Sequence, residues 1–246
     1  VEVKEWEALL RSSSGDARKL LNVLELLVDH SVEDVLEVTN ALVKQVVHDS
    51  ISRYDKKGES HYDMASALIK SIRGSDANAA VYYLARMVAG GEDPKFIARR
   101  LIISASEDIG LANPTALVMA NETFSAVERI GMPEGRIVLA QCVVYMATSP
   151  KSNASYLAIA RALEEVEKSG DLPVPIHLRN APNAWMKNQG FGKGYSYDHD
   201  ALDQFSGQEF QPEQIAGLTY YEPGSNPKED AIRQRQKALW KSKYGY

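Results

Sequence analysis

The chain has 246 residues, of which 44% are hydrophobic and 25% are charged, as in an ordinary soluble globular protein. Its formal net charge of −5 excludes binding of nucleic acid through overall charge, so any DNA contact would have to be local. The single cysteine, Cys142, excludes an internal disulfide framework and indicates a reducing, cytoplasmic compartment. No apolar run approaches the roughly 20 residues of a membrane helix, so no membrane partner is expected.

The first part of the chain has the periodicity of α-helices. The sequence begins at Val1 rather than at Met, and helix-like sequence starts at once, which predicts a piece of a longer protein. A polar connector, Ser50–Ser60, predicts a boundary between domains of residues 1–49 and 50–246. The apolar residues of the first long predicted helix recur three and four positions apart, at Ala17, Leu20, Leu21, Leu24, Leu27 and Val28.

The second predicted domain contains further helices. Their starts are predicted where a hydrogen-bond acceptor precedes a proline, at Asp93-Pro94, Asn113-Pro114 and Ser149-Pro150. The segment Ile137–Ala147 is apolar nearly all round and predicts the central buried helix of this domain. No alternating pattern longer than a few residues indicates a strand, so the predicted fold is all-α.

Beyond Gly170 the chain is rich in proline, glycine and aromatic residues. So many breakers preclude long helices, while the aromatic rings argue against disorder. This composition predicts an ordered, irregular wrap held on the helices by its rings. A short basic helix, Ala231–Lys243, is predicted to close the chain. Such a tail could contact phosphate, although a solvated helix face is the commoner role.

Catalytic motifs are not found in this sequence. A phosphate-binding P-loop has the form G-x-x-x-x-G-K-[ST], and the nearest match, Gly192-Lys193-Gly194, has Lys187 in place of the first glycine and no hydroxyl after the lysine. It predicts a turn instead. The five histidines have no metal-ligand spacing. The acids of Ser106-Glu107-Asp108 are predicted to be structural, through capping or pairing with Arg99 or Arg100.

Arg18 is unusual because of its position. It lies in the first turn of a predicted helix, off the apolar stripe, where the helix dipole already adds positive potential. A planar guanidinium beside a helix amino terminus suits a phosphate group. A solvated surface arginine remains the commoner alternative.

Arg18 belongs to Gly15-Asp16-Ala17-Arg18, which with Leu20-Leu21-Asn22 resembles the sensor-2 helix in the lid of clamp-loader-type AAA+ ATPases. Further motifs narrow the resemblance, which extends from about residue 15 to about residue 221. In chain order they are Tyr54-Asp55-Lys56-Lys57-Gly58, Ser71-Ile72-Arg73-Gly74-Ser75, Ala105-Ser106-Glu107-Asp108-Ile109-Gly110, Pro150-Lys151-Ser152-Asn153-Ala154 and His177-Leu178-Arg179-Asn180-Ala181-Pro182. Together they resemble the replication-associated recombination protein A family, which includes bacterial maintenance-of-genome-stability protein A and the Werner-helicase-interacting protein.

The family resemblance implies a DNA-dependent ATPase that acts in replication-fork maintenance, recombination and repair, in the cytoplasm with the nucleoid. It implies an all-α fold in which a remnant of the AAA+ lid, residues 1–49, precedes a helical homotetramerisation domain, residues 50–246. Arg18 would be the sensor-2 arginine that contacts ATP, bound with Mg in the full-length protein. The Walker A, Walker B, sensor-1 and arginine-finger elements do not occur in this sequence, so no cofactor and no ATPase activity are expected of it alone. The implied partners are DNA, single-stranded-DNA-binding protein and replisome components.

The two loops most specific to the resemblance, Pro150–Ala154 and His177–Pro182, have two interpretations. In the structural one, their polar side chains hydrogen-bond to backbone groups of proline-broken turns. In the functional one, basic side chains line a DNA-binding surface in the oligomer, and the candidates are Lys151, Arg179 and Lys187.

Two other functions are compatible with a helical chain of this kind. One is a stand-alone interaction module that recruits replication or repair partners without ATP chemistry. The other is a true clamp-loader subunit with a helical collar, against which the motifs between Ser106 and Pro182 argue.

Overall fold

The computed structural model describes residues 1–13, 17–30, 36–54 and 59–246, and within them it omits the side chains at 17–19, 22, 29–30, 48–54 and 59–61. The described residues are mostly helical, which confirms the all-α prediction. Their α-helices are α1 (Glu7–Ser13), α2 (Ala17–His30), α3 (Asn40–Tyr54), α4 (Glu59–Arg73), α5 (Ala77–Ala89), α6 (Pro94–Ser104), α7 (Thr115–Ile130), α8 (Gly135–Thr148), α9 (Ala154–Ser169), α10 (Ala184–Asn188) and α11 (Pro227–Trp240).

A small parallel β-pair accompanies the first three helices. Strand β1 (Glu2–Val3) pairs with β2 (Glu37–Val38), with Glu2 opposite Glu37 and Val3 opposite Val38. No sequence pattern predicts this pair, because two residues are too few to show an alternating pattern. The pair joins a core cluster that α1, α2 and α3 complete, and whose most buried members are Leu9, Leu27, Val38 and Val43.

Helix α2 is amphipathic, as predicted, but its buried face is rotated relative to the predicted apolar stripe. Leu27 is buried as predicted, and so is Val23, which the predicted stripe left out. Leu21 and Val28 are 60% and 48% exposed. Since successive residues turn by about 100°, these two side chains lie at one edge of the apolar stripe, away from the core.

A second core cluster is formed by helices α4 to α8. Helix α8 contacts α4, α5, α6 and α7, and its Leu139, Cys142 and Met146 are fully buried. The prediction of a central helix is therefore confirmed. Its burial is one-sided, however, because Ile137 and Val144, two turns apart, are 65% and 42% exposed.

Of the three helix starts predicted from an acceptor residue followed by proline, two are confirmed and one is wrong. Pro94 opens α6, and the side chain of Asp93 accepts a hydrogen bond from the Lys95 N–H at 2.9 Å, as predicted. Helix α7 begins directly after Pro114. The start predicted at Ser149-Pro150 is wrong, because the chain stays extended there and α9 begins only at Ala154.

From residue 170 to residue 226 the chain is mostly irregular, as predicted for the wrap. Its helical elements there are short 3₁₀ turns and α10. Two aromatic rings of this segment, those of Phe205 and Phe210, meet Trp240 of α11. The Trp240 ring centroid lies 4.9 Å from that of Phe205 and 6.4 Å from that of Phe210. Helix α11 thus fastens the wrap.

Candidate functional site

Asp108 is the buried centre of a group of polar contacts at the end of α6. The chain leaves α6 through a π-helical turn, Ala105–Ile109, and Asp108 is only 5% exposed there. Its Oδ2 accepts a hydrogen bond from the Ser104 hydroxyl at 2.8 Å. Its Oδ1 accepts one from Nε of Arg73, the last residue of α4. A π-helical turn is rare and often marks a functional position.

Arg73 binds both acids of the predicted Ser106-Glu107-Asp108 motif. Besides Asp108, it reaches Glu107, with 3.1 Å between Nη2 and Oε1. The hydrogen bond to Asp108 is the main cause that raises the pKa of Arg73 above its ordinary value. The structural role predicted for these acids is consistent with this geometry, but the partners Arg99 and Arg100 were wrong. Helix α4 packs beside α6, and its last turn presents Arg73 to the π-helical turn.

The loop between α8 and α9 contacts the same turn through Ser152. The backbone N–H of Ser152 donates to the carbonyl oxygen of Asp108 at 2.8 Å. A Cβ atom added to Gly110 would lie 2.8 Å from the Ser152 carbonyl oxygen, and Gly110 has φ of +47°. A glycine is therefore required for this close approach of two backbones.

Lys151 is held by acceptors within the chain. Its ammonium group donates to the carbonyl oxygens of Ala147 at 2.9 Å and Ser149 at 2.5 Å, and to the Ser75 hydroxyl at 3.1 Å. The two carbonyls belong to the carboxy-terminal end of α8, where a cation is favourable. Burial lowers the pKa of Lys151 below its ordinary value, although the nearby Asp108 opposes this effect.

Glu229 of α11 is a fully buried carboxylate beside Ser152. Asn226 Nδ2 and the Tyr221 hydroxyl donate to it, the latter at 3.4 Å. Burial alone would raise its pKa, but hydrogen bonds from Ser152, the Gly224 N–H, Asn226 and Tyr221 hold the pKa below its ordinary value. Glu229 therefore remains ionised inside the protein and joins α11 to the loop after α8.

These contacts define a polar junction, formed by Arg73, Asp108, Lys151, Ser152 and Glu229. It brings together three of the five motifs, those around Arg73, Asp108 and Lys151, which are far apart in sequence. Among the described residues, no buried side-chain nitrogen or oxygen lacks a hydrogen-bond partner. The acids and cations of the junction neutralise one another, so its chemistry is that of a structural connection. Glu229 was not among the residues predicted from the sequence, although Asn226 three residues earlier is a recognisable helix-capping signal.

The other predicted site residues lie elsewhere. Arg179 donates from Nε to the Val174 carbonyl at 2.6 Å, and its guanidinium lies 5.4 Å from the Phe191 ring centroid. This geometry agrees with the structural interpretation of its loop. Lys187 is exposed on α10. Phe191 connects this helix to Arg179, because its N–H donates to the Met186 carbonyl at 3.1 Å and its ring contacts the Arg179 guanidinium. The structure thus brings Arg179 and Lys187 into one loop cluster, whereas Lys151 belongs to the polar junction.

Arg18 lies in the first turn of α2, as predicted, but its side chain falls outside the described part of the chain. Its phosphate-contacting role therefore stays a prediction. Gly192-Lys193-Gly194 forms a turn, with Tyr195 N–H donating to the Gly192 carbonyl at 3.3 Å, and this confirms the predicted turn. Within residues 1–13, 17–30, 36–54 and 59–246, no group of three His, Cys, Asp or Glu side chains is placed to hold a metal ion. The helices of these same residues are all too short or too polar to span a lipid bilayer.

Helix α9 leaves its apolar face largely exposed. This α9 apolar face consists of Tyr156, Ile159, Leu163 and Val166, which are 51–60% exposed and recur three and four positions apart. On the opposite side, Arg161 donates to the Tyr220 carbonyl at 3.4 Å and pairs with Glu222 at 3.0 Å. An amphipathic helix normally buries its apolar face. A row of large exposed apolar side chains is typical of an interaction surface.

Comparison with known proteins decides the family. The family model described as MgsA AAA+ ATPase C terminal matches residues 74–240, and the AAA C-terminal domain model matches residues 1–73. The chain belongs to the MgsA AAA+ ATPase family. The predicted resemblance is therefore confirmed. The MgsA-family match contains the polar junction except for Arg73, together with the α9 apolar face and α11.

Relatives with curated names agree with this membership. Replication-associated recombination protein A of Coxiella burnetii is 44% identical over 230 residues, which are 92% of this chain and 52% of that protein. The Escherichia coli protein of the same name is 40% identical over 93% of the chain and 52% of its own length. ATPase WRNIP1 of Dictyostelium discoideum is 39% identical over 88% of the chain and 27% of its own length. The chain thus spans about half the length of the two bacterial relatives.

The two family models meet at residue 73, at the end of α4. Helix α4 falls in the first match, although its Leu68 and Ile72 belong to the second core cluster. The division into residues 1–49 and 50–246 stays a prediction.

Proposed function

We propose that this MgsA-family chain is the lid remnant and homotetramerisation domain of a DNA-dependent AAA+ ATPase that acts in replication-fork maintenance, recombination and repair. The names of the relatives support the biological role, and the α9 apolar face supports the assembly role. In this proposal the chain itself hydrolyses no ATP. Its larger part holds the subunits of the machine together.

The α9 apolar face is the observation on which the assembly role depends. Helix α9 already has contacts for its polar side, through Arg161 to the wrap. Its four large apolar side chains face away from these contacts. A surface of this kind on a soluble subunit is stabilised when a second copy covers it, because burying apolar area contributes about 25 cal/mol per Å². We therefore assign the face to another copy of this chain.

The nucleotide role depends on Arg18. In the full-length ATPase this side chain would contact the terminal phosphates of ATP, whose Mg and main binding loops the AAA+ core would supply. A guanidinium near the amino terminus of α2 adds to the positive helix dipole, which favours an anion. DNA, single-stranded-DNA-binding protein and replisome components are proposed as partners of the full-length protein.

Light scattering on the 246-residue chain tests the assembly role. The chain is expected to form a tetramer, and the double variant Ile159→Glu/Leu163→Glu is expected to dissociate into monomers, because two charges cannot be buried in an apolar contact. The matched control, Leu21→Glu/Leu202→Glu, changes two residues that are also exposed, by 60% and 89%, but lie outside α9. A chain that stays monomeric at high concentration, or a variant that remains tetrameric, would contradict the proposal.

A further inference from the structure

A groove between α4 and α6 combines basic side chains with aromatic rings. Its volume is about 320 Å³, and its lining includes Lys70, Arg73 and Arg100 together with the rings of Tyr62 and Phe96. Neither the polar junction nor the α9 apolar face accounts for Lys70 and Arg100. The groove is also separate from the DNA candidates Lys151, Arg179 and Lys187.

The groove has a local excess of positive charge in a chain whose net charge is −5. Glu107 is the acid in its lining, and it is paired with Arg73 at 3.1 Å. Even when the buried Asp108, which pairs with Arg73, is counted together with Glu107, the groove has three cations and two acids. The ion pairs fix the Arg73 guanidinium in place, whereas the exposed Lys70 and the half-buried Arg100 extend the positive surface. An anionic ligand would meet a partly preorganised site.

The rings give the groove a second kind of contact. Tyr62 is 72% exposed and Phe96 is partly buried against the core. Exposed aromatic rings stack on nucleic acid bases in proteins that bind single strands, and neighbouring cations track the phosphates. The combination of cations and rings in one groove suits a ligand that has both phosphates and flat bases.

The backbone of the groove distinguishes between two classes of acidic ligand, an extended acidic peptide and a single-stranded nucleic acid. Nearly all of the lining residues lie within α4 and α6, where backbone N–H and C=O groups bond inside the helix. An extended acidic peptide recognised by strand addition needs free backbone groups, which these helices do not offer. Recognition therefore depends on charge and stacking, which are the contacts that a single-stranded nucleic acid provides.

We propose that this groove binds single-stranded DNA, with Lys70 and Arg100 on the phosphates and Tyr62 stacked on a base. The choice of DNA rests on the proposed function, and the site deepens that function by locating its contact with DNA. Each phosphate contact on a single strand adds about 0.7 to the slope with which the logarithm of affinity falls against the logarithm of salt concentration.

The test measures fluorescence anisotropy of a labelled oligothymidylate titrated with the 246-residue chain over a range of salt concentrations. Lys70→Glu/Arg100→Glu should weaken binding by about tenfold or more at low salt and reduce the salt slope by about 1.4, which corresponds to two lost phosphate contacts. The neutral Lys70→Gln/Arg100→Gln should give an intermediate loss of affinity. Tyr62→Ala should weaken binding by about tenfold while leaving the salt slope unchanged, because stacking releases no counterions.

The matched control is Arg129→Glu/Arg136→Glu, which changes net charge equally at two exposed residues of α7 and α8. It should bind almost as the parent chain does. The proposal is overturned if the parent chain does not bind the oligonucleotide, if the groove variants keep its affinity and salt slope, or if polyglutamate competes as well as DNA does. Because the oligomeric state is measured separately by light scattering, loss of DNA binding and loss of tetramerisation are distinguishable results.

Discussion

Nε of Arg73, the last residue of α4, donates a hydrogen bond to the buried carboxylate of Asp108 in the π-helical turn after α6. The pair is asymmetric, because the Arg73 side chain is 49% exposed and that of Asp108 only 4%. Ser104 holds the second oxygen of the same carboxylate, at 2.8 Å. Three family motifs meet around this ion pair, so loss of the pair should also weaken the packing of these motifs on one another.

Neutralising Asp108 should destabilise the chain. Asp108→Asn keeps the shape of the side chain but weakens the hydrogen bonds from Arg73 and Ser104, and a disturbed buried group of this kind costs about 1–3 kcal/mol. The free energy of unfolding in urea measures the loss. The control is Glu128→Gln, which removes an exposed ion pair with Lys95 of 2.7 Å and should cost less than about 1 kcal/mol. Equal effects of the two variants would show that the Arg73–Asp108 pair contributes no more than a surface pair.

Gly110 should not tolerate a side chain. Gly110→Ala would place its Cβ 2.8 Å from the Ser152 carbonyl oxygen, at a residue with φ of +47°. Backbone strain of about 1–3 kcal/mol, from the rarely populated combination of φ +47° and ψ −133°, and overpacking of about 1–3 kcal/mol should add, and urea unfolding should report both. Gly91→Ala is the matched control, because Gly91 also has positive φ, +74°, but nothing lies within 4 Å of the added atom. It should show the strain alone. Equal losses would argue against close contact between the two loops.

Local patterns predicted the helices better than the contacts between them. The three- and four-residue spacing of apolar residues predicted α2, the nearly all-apolar segment Ile137–Ala147 predicted α8, and Asp93-Pro94 predicted the start of α6, because these features depend on neighbours within a turn or two. The pair of Arg73 with Asp108 spans 35 residues and needs the π-helical turn to aim the carboxylate. Nothing local indicates it.

The interaction surfaces were equally hard to place from the sequence. The spacing of Tyr156, Ile159 and Leu163 indicates an amphipathic helix, but not which side of that helix meets the rest of the chain. The exposure of these side chains and the contacts of Arg161 with the wrap show that the apolar side faces outward. The groove with Lys70 and Arg100 could not be predicted for a similar reason. Its residues come from two helices, and no short motif encodes how those helices pack.

Acid should weaken the docking of α11 through Glu229. Hydrogen bonds hold the pKa of this carboxyl below its ordinary value of about 4.3. A depressed pKa means that its stabilisation is fully present above the ordinary value and is lost as the pH falls through the folded-state pKa. The thermal midpoint of the parent chain should therefore fall more steeply below about pH 4.3 than that of Glu229→Gln. Glu134→Gln, at an exposed position, should follow the parent curve. Parallel curves for the parent and Glu229→Gln would contradict the assignment.

Charge reversal at Lys151 and Lys187 tests the DNA candidates in the full-length ATPase. If these basic side chains line a DNA-binding surface, the double variant should reduce the stimulation of ATP turnover by single-stranded DNA. The single variants separate binding from stability, because Lys151→Glu removes the donor to the Ala147 and Ser149 carbonyls at the end of α8, whereas Lys187 is exposed on α10. Lys151→Glu should therefore lower the thermal midpoint, and Lys187→Glu should leave it unchanged. If Lys187→Glu and the double variant keep full DNA stimulation, these lysines do not form a DNA-binding surface, and the effect of Lys151→Glu on stability is then that of a helix cap alone.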